Sequence, residues 1–104
     1  MKILFICNQN QNRSKTAEAL FSDRFETRSA GLYNVNPVTA KEISWADIVV
    51  VMEDIQRSEL ARRFPKEYMQ KRIVSLQIPD IYKEGQVSLK KRLAESMESY
   101  LSQS

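Results

Sequence analysis

Short apolar runs alternate with amphipathic segments along the chain. The runs at residues 2–7, 48–52 and 73–76 show no polar alternation, which is typical of buried strands. Residues 25–29 form a weaker fourth candidate strand. Spacing and capping signals predict helices over 13–23, 37–44, 54–64 and from 88 onward, with one further turn at 65–70.

Local start signals set the boundaries of these predicted helices. Asn36-Pro37 pairs a capping residue with proline at a first helical position, and Asp54 and Ser88 are candidate caps of the later helices. The last helix carries an apolar stripe made of Leu89, Leu93, Met97, Tyr100 and Leu101. This stripe predicts that the helix packs along one face of the domain.

Strands and helices that alternate in this way predict a single α/β domain over residues 1–104, with a parallel sheet covered on both faces. Ligands of such sheets bind beyond the carboxyl ends of the strands. Cys7, Gly31, Glu53 and Asp80 follow the four predicted strands in turn. We therefore expect these four residues at one edge of the sheet.

Composition narrows the possible functions of these 104 residues. Charged residues make up 28% and the net charge is +3, which favours anionic ligands without indicating nucleic acid. The basic run at 90–92 fits a solvated helix face. No apolar run approaches the ~18 residues of a membrane span, and no signal peptide is recognisable. The single cysteine favours a reducing compartment such as the cytoplasm.

The chain contains no histidine, which excludes Ser–His and Cys–His catalysis and any histidine-based metal site. The remaining candidate chemistry lies between the first strand and the first helix. Five amides, Asn8-Gln9-Asn10-Gln11-Asn12, separate Cys7 from Arg13. A polar loop that opens a helix is suited to bind phosphate or sulfate through its backbone N–H groups. We expect neither a metal nor a cofactor.

A phosphate in this loop would lie between a thiol and a guanidinium. The same positive surroundings favour a thiolate at Cys7, while Arg13 is able to grip two phosphate oxygens and Ser14 to donate a hydrogen bond to the sulfur. The implied reaction is attack of sulfur on phosphorus, which needs an acid for the leaving oxygen. The alternative is that Cys7 is only a small buried apolar residue.

Several segments in order resemble the low-molecular-weight protein tyrosine phosphatases. The pattern Cys7-(five residues)-Arg13-Ser14 after an N-terminal strand is similar to the phosphate loop of that family. Further matching segments are 16–20, 29–31, 46–53 and 80–82. The resemblance implies a three-layer domain of the phosphotyrosine protein phosphatase I type, with a four-stranded parallel sheet of order 2-1-3-4.

The resemblance also implies roles for individual residues. Cys7 would be the nucleophile, Arg13 the phosphate clamp and Asp80 the general acid, later the base for water. Asn10 would shape the loop and hydrogen-bond with Ser29. Tyr33 and Tyr82 would wall the pocket for an aromatic ester, although ordinary packing is an equal alternative for both. The implied partner is a phosphorylated protein or a small aryl phosphate.

The chain departs from the family pattern at several positions. Gln9 stands where glycine is usual, so a side chain occupies a position suited to positive φ. Asn12 replaces a second loop cysteine, and Ile81 replaces the proline of the acid segment. The region from Gly31 to Ala46 is shorter than usual.

Other functions compete with hydrolysis. A phosphocysteine carrier of similar size would hold the phosphoryl group and pass it on, although Arg13-Ser14 and a nearby acid favour hydrolysis. A regulatory module could bind phosphate with little turnover. Thioredoxin-coupled arsenate reduction relays a disulfide through further cysteines, which this chain lacks.

Overall fold

The computed structural model describes residues 1–101, which fold into four strands and five helices. The strands are β1 (Lys2–Cys7), β2 (Glu26–Gly31), β3 (Ile48–Val51) and β4 (Arg72–Ser75). The helices are α1 (Arg13–Phe21), α2 (Ala40–Trp45), α3 (Asp54–Arg63), α4 (Pro65–Gln70) and α5 (Val87–Leu101). Among the described residues no helix is both long and apolar enough to cross a membrane.

All strand pairs are parallel and the sheet order is β2-β1-β3-β4, as predicted. In the register Cys7 pairs with Gly31, and Val51 pairs with both Ile6 and Ser75. The strands therefore end at nearly the same level. The loops that follow them emerge side by side at one edge of the sheet, where the sequence predicted a site.

Two apolar layers cover the sheet. On one face, side chains of β1 and β3 pack against α1 and α5, whose stripe residues Leu89, Leu93 and Met97 are buried. On the other face, alternate residues of the same strands pack against Ile43 of α2 and Leu60 of α3. This arrangement confirms the three-layer prediction and explains why the central strands read as continuous apolar runs.

Three predicted helix starts differ from the structure. Asn36-Pro37 does not begin α2, because Thr39 and Glu42 form a capping box that satisfies the first-turn N–H groups three residues later. Glu53, not Asp54, is the N-cap residue of α3. Helix α5 begins at Val87, one residue before the predicted cap at Ser88.

Candidate active site

Cys7 is the last residue of β1 and is 3% exposed. Its Sγ lies 2.9 Å from Ser14 Oγ, and the Ser14 hydroxyl donates to Asn10 Oδ1 at 2.6 Å. We call residues 7–14 the phosphate loop, after the family pattern that its sequence resembles. The loop turns at Asn10, which has φ 53°, a conformation that asparagine tolerates better than most residues. The Cys7 thiol, the Ser14 hydroxyl and the Asn10 amide therefore form one continuous chain of hydrogen bonds.

Two expectations about this loop were wrong. The positive φ falls on Asn10 and not on Gln9, so the side chain of Gln9 causes no backbone strain there. Asn10 does not bond with Ser29, whose hydroxyl donates instead to Glu18 Oε1 at 2.7 Å. The Ser29 hydroxyl proton is thus given to Glu18, while the Asn10 amide oxygen accepts from Ser14 within the loop.

Arg13 is the first residue of α1 and is 1% exposed. Its Nη1 donates to Glu53 Oε1 at 2.5 Å and to the Ile78 carbonyl at 2.7 Å. Among residues 1–101 both hydrogen bonds of the guanidinium leave from Nη1, which leaves its Nε–Nη2 edge without a hydrogen-bond partner. This edge carries two parallel N–H groups, the geometry that binds a phosphate bidentately.

Asp80 belongs to the segment between β4 and α5, and we call residues 77–86 the acid loop. Its Oδ1 lies 3.8 Å from Arg13 Nε, and its side chain is 61% exposed. The carboxyl group is therefore near the guanidinium but beyond hydrogen-bond distance. A carboxyl in this position is free to turn toward a group bound above Arg13.

Residues of the phosphate loop and Asp80 line a small pocket of about 40 Å³. Its lining residues are Cys7, Asn8, Gln9, Gln11, Asn12, Arg13 and Asp80. The structure thus brings together the thiol, the guanidinium and the carboxyl that the sequence analysis had placed at this edge.

The two tyrosines lie at the same edge but are not part of this lining. Tyr33 follows β2 and is 54% exposed, with the Arg63 guanidinium 5.0 Å from its ring centre. Tyr82 is half-buried and packs against the apolar layer that contains α1 and α5. Tyr33 therefore offers an accessible aromatic surface near the pocket, whereas Tyr82 anchors the acid loop to the core.

Arg63, whose guanidinium lies over the Tyr33 ring, forms an ion pair with Glu59. Glu59 Oε2 accepts from Arg63 Nε at 2.6 Å, and Arg63 Nη1 donates to the Leu32 carbonyl at 2.6 Å. The hydrogen bond from Arg62, which has the larger effect, and the one from Arg63 lower the pKa of Glu59 from 4.5 to about 2.

We expect an NMR titration of the Glu59 carboxyl to give a pKa of about 2. Because the folded-state pKa is depressed, the stabilisation that Glu59 provides is complete above its unfolded value of about 4.5 and is lost as the pH falls toward 2. The difference in unfolding free energy between wild type and Glu59→Gln should shrink over that range. A Glu59 pKa near 4.5 would contradict this.

Three groups that support the site were not recognised as such in the sequence. Glu53 was expected at this edge, but its bond to Arg13 was not predicted, nor was the bond from Arg13 to the Ile78 carbonyl. Gln56 is 1% exposed and accepts from the N–H groups of Met52 and Glu53. Its Nε2 donates to Asn8 Oδ1 at 3.1 Å, which fixes the start of the phosphate loop.

Gly31 closes β2 directly beside the phosphate loop. A Cβ at this position would lie 2.5 Å from Asn34 Oδ1 and 3.0 Å from the backbone nitrogen of Asn10. Distances this short force the neighbouring atoms to move. The absence of a side chain at Gly31 therefore leaves room for the Asn34 side chain and for the close approach of the Asn10 backbone.

Gly31→Ala is expected to displace the Asn34 side chain and the Asn10 backbone and to destabilise the fold by about 1–3 kcal/mol, because the added methyl group overpacks this position. Chemical denaturation measures this loss. Adding Asn34→Gly removes the closest contact and should recover part of it. An unchanged free energy of unfolding in Gly31→Ala would show that the loop adapts without cost.

No protein-family model matches the chain, and no curated protein matches it. Solved structures do match. The tyrosine phosphatase Wzb from Escherichia coli K30, solved with phosphate, has a TM-score of 0.79 at 18% identity over 98% of this chain and 96% of its own. The low-molecular-weight protein tyrosine phosphatase from T. tengcongensis gives 0.78 at 18% identity over 100% and 99%.

The YwlE arginine phosphatase from Geobacillus stearothermophilus also matches, with a TM-score of 0.68 at 22% identity over 98% of this chain and 96% of its own. At identities this low, the matches establish a shared architecture over the whole described chain. The chain therefore has the fold of the low-molecular-weight protein tyrosine phosphatases, as its sequence resemblance indicated.

Proposed function

We propose that this protein hydrolyses phosphate monoesters through a phosphocysteine intermediate at Cys7. The observation that carries the proposal is the small pocket in which a buried thiol, a buried guanidinium and an exposed carboxyl, those of Cys7, Arg13 and Asp80, line one space. A shared fold with phosphatases agrees with this but does not by itself establish the activity.

The first step would be binding of the phosphate by the loop. Backbone N–H groups and the N-terminus of α1 stabilise an anion at this position. The Nε–Nη2 edge of Arg13 adds a bidentate contact, while Glu53 and the Ile78 carbonyl hold Nη1 on the opposite side. Because Arg13 is held in place before binding, little side-chain entropy is lost when the phosphate arrives.

Ser14 has one hydroxyl proton and two partners for it, Asn10 and Cys7. With a neutral thiol, Sγ–H donates to Ser14 and the hydroxyl donates to Asn10. With a thiolate, the hydroxyl turns to donate to sulfur, and rotation of the Asn10 amide presents an N–H to Ser14 Oγ. The same three groups thus offer hydrogen-bond partners to both the thiol and the thiolate of Cys7.

In the chemical step the sulfur attacks phosphorus, an S–P bond forms and the P–O bond to the leaving group breaks. Asp80 gives its proton to the leaving oxygen. Asp80 as carboxylate then accepts a proton from water, whose oxygen attacks phosphorus and releases inorganic phosphate and the Cys7 thiolate. The exposed position of Asp80 suits both tasks, since a leaving alcohol and a water molecule must reach it.

We propose aryl phosphates as substrates, with phosphotyrosine of proteins as the physiological class. The exposed Tyr33 ring, held by Arg63, offers a surface on which an aromatic ester stacks. Because Cys7 must remain reduced for this chemistry, the cytoplasm is the compartment we expect. Matching structures include both tyrosine and arginine phosphatases, so a tyrosine-phosphorylated peptide and an arginine-phosphorylated peptide should be compared directly.

The test mixes the protein with excess p-nitrophenyl phosphate and EDTA, quenches in acid and analyses the peptide that contains Cys7 by mass spectrometry. We expect a burst of p-nitrophenolate, a phosphorylated Cys7 peptide, and continued turnover that vanadate inhibits. A burst without turnover would favour the phosphocysteine carrier. Phosphate binding with neither burst nor turnover would favour a regulatory module and overturn the proposal.

A further inference from the structure

The acid loop is fastened to the start of α1 at two points. The Glu84 N–H donates to Asn12 Oδ1 at 3.2 Å, and the Gly85 N–H donates to Thr16 Oγ1 at 2.9 Å. Asn12 and Thr16 are four residues apart, so their side chains lie on the same face of the helix. Gly85 has φ 75°, a conformation that suits glycine.

The other end of the acid loop is held by Arg13, at the start of α1, and by Met52, which follows β3. The Ile78 carbonyl accepts from Arg13, and the Ile78 N–H donates to the Met52 carbonyl at 2.7 Å. Ile78 is fully buried, whereas Asp80 between the two attachments is exposed. The position of Asp80 is consequently set by the ends of its loop and not by tight contacts of its own carboxyl.

The side chain of Asn12 does not cap its own helix. Asn12 is the N-cap residue of α1, where asparagine normally accepts a hydrogen bond from the first turn of its own helix. No such side-chain bond is formed here, and the amide oxygen accepts from Glu84 instead. Asn12 also lines the pocket together with Asp80. A capping contact is thus replaced by a contact that joins the two loops of the site.

We propose that Asn12 and Thr16 are positioning residues that hold the acid loop over the phosphate loop, so that Asp80 reaches the leaving oxygen. The proposal rests on the proposed hydrolysis and adds to it the means by which the acid is placed. The proposal separates proton donation from phosphate binding. Loosening the attachment should impair proton donation to the leaving group and leave phosphate binding intact.

The test compares Thr16→Val, which removes the acceptor at nearly constant volume, with Thr16→Ser, which keeps it. Two substrates are used, phenyl phosphate with a poor leaving group and p-nitrophenyl phosphate with a good one. In Thr16→Val we expect kcat/KM for phenyl phosphate to fall about tenfold, part of the ~10²–10⁴ that a positioned acid contributes. The fall for p-nitrophenyl phosphate should be clearly smaller, and Thr16→Ser should behave like wild type.

Two further measurements separate positioning from general damage. Inhibition by inorganic phosphate should be unchanged in Thr16→Val, and the effect of the substitution should vanish in an Asp80→Asn background. Thr16 is 3% exposed, so Asn12→Ala, at a half-buried position, serves as a second variant. Its loss should again be larger for phenyl phosphate and vanish without Asp80, while the comparison of phosphate inhibition is kept to Thr16→Val because Asn12 lines the pocket.

Equal losses for both substrates, or an effect that persists without Asp80, would overturn the positioning role. A wild type that turns over neither substrate would refute the proposed hydrolysis itself, and the role of Thr16 with it. Hydrogen exchange reports the attachment itself, whatever the kinetics show. It should become faster at the Gly85 amide in Thr16→Val and at the Glu84 amide in Asn12→Ala.

Discussion

Cys7→Ser is expected to lower kcat/KM for p-nitrophenyl phosphate by about 10⁴-fold or more, since removing the covalent nucleophile of an enzyme has effects of up to ~10⁶-fold. A serine hydroxyl at this position is a far weaker nucleophile than a thiolate, because it stays protonated at neutral pH. The substitution is sterically mild, since the hydroxyl takes the place of Sγ beside Ser14 Oγ.

Phosphate binding separates the chemical effect from a folding defect in Cys7→Ser. Arg13 and the loop backbone are unchanged, so calorimetry with inorganic phosphate should give a similar affinity in variant and wild type. Because Cys7 is the chain's single cysteine, alkylation by iodoacetamide reports this site alone, and phosphate should protect it in wild type. Turnover within tenfold of wild type in Cys7→Ser would exclude the phosphocysteine mechanism.

Asp80→Asn is expected to lower kcat/KM for phenyl phosphate by about 10²–10⁴-fold, the range that a positioned general acid contributes. The amide keeps the shape of the side chain but has no proton to give. For p-nitrophenyl phosphate the loss should be smaller, because its leaving oxygen departs with less need of protonation.

Asp47→Asn is the matched control for this second prediction. Asp47 is also an exposed aspartate, but its Oδ2 accepts from the Lys2 N–H and it precedes β3 at the opposite edge of the sheet. Its kinetics should equal those of wild type for both esters. Equal losses for the two esters in Asp80→Asn would mean that Asp80 binds substrate and does not donate the proton.

The parts of this site that could be predicted are those encoded within a few residues. Cys7, Arg13 and Ser14 belong to one loop, so their spacing was visible in the sequence. The parallel sheet was also predictable, because buried central strands require continuous apolar runs. Asp80 was placed by its position after the fourth strand together with the family resemblance.

The supporting contacts could not be read from the sequence because they join distant segments. Arg13 reaches Glu53 over 40 positions and the Ile78 carbonyl over 65, while Asn12 reaches Glu84 over 72. Each depends on the way the loops pack, and no periodic pattern marks them. The α2 start was misplaced for a different reason, since two local start signals stood three residues apart and the helix begins at the Thr39/Glu42 capping box.

The buried bonds of Arg13 limit how a lineage carrying this chain could lose the proposed activity. A descendant without Arg13 would leave the Ile78 carbonyl unpaired in the core and Glu53 without its cation, so folding and turnover would decline together. Changes at Cys7 or Asp80 have no such penalty. A non-catalytic descendant that keeps this fold would therefore be expected to retain the arginine long after the thiol or the carboxyl had been replaced.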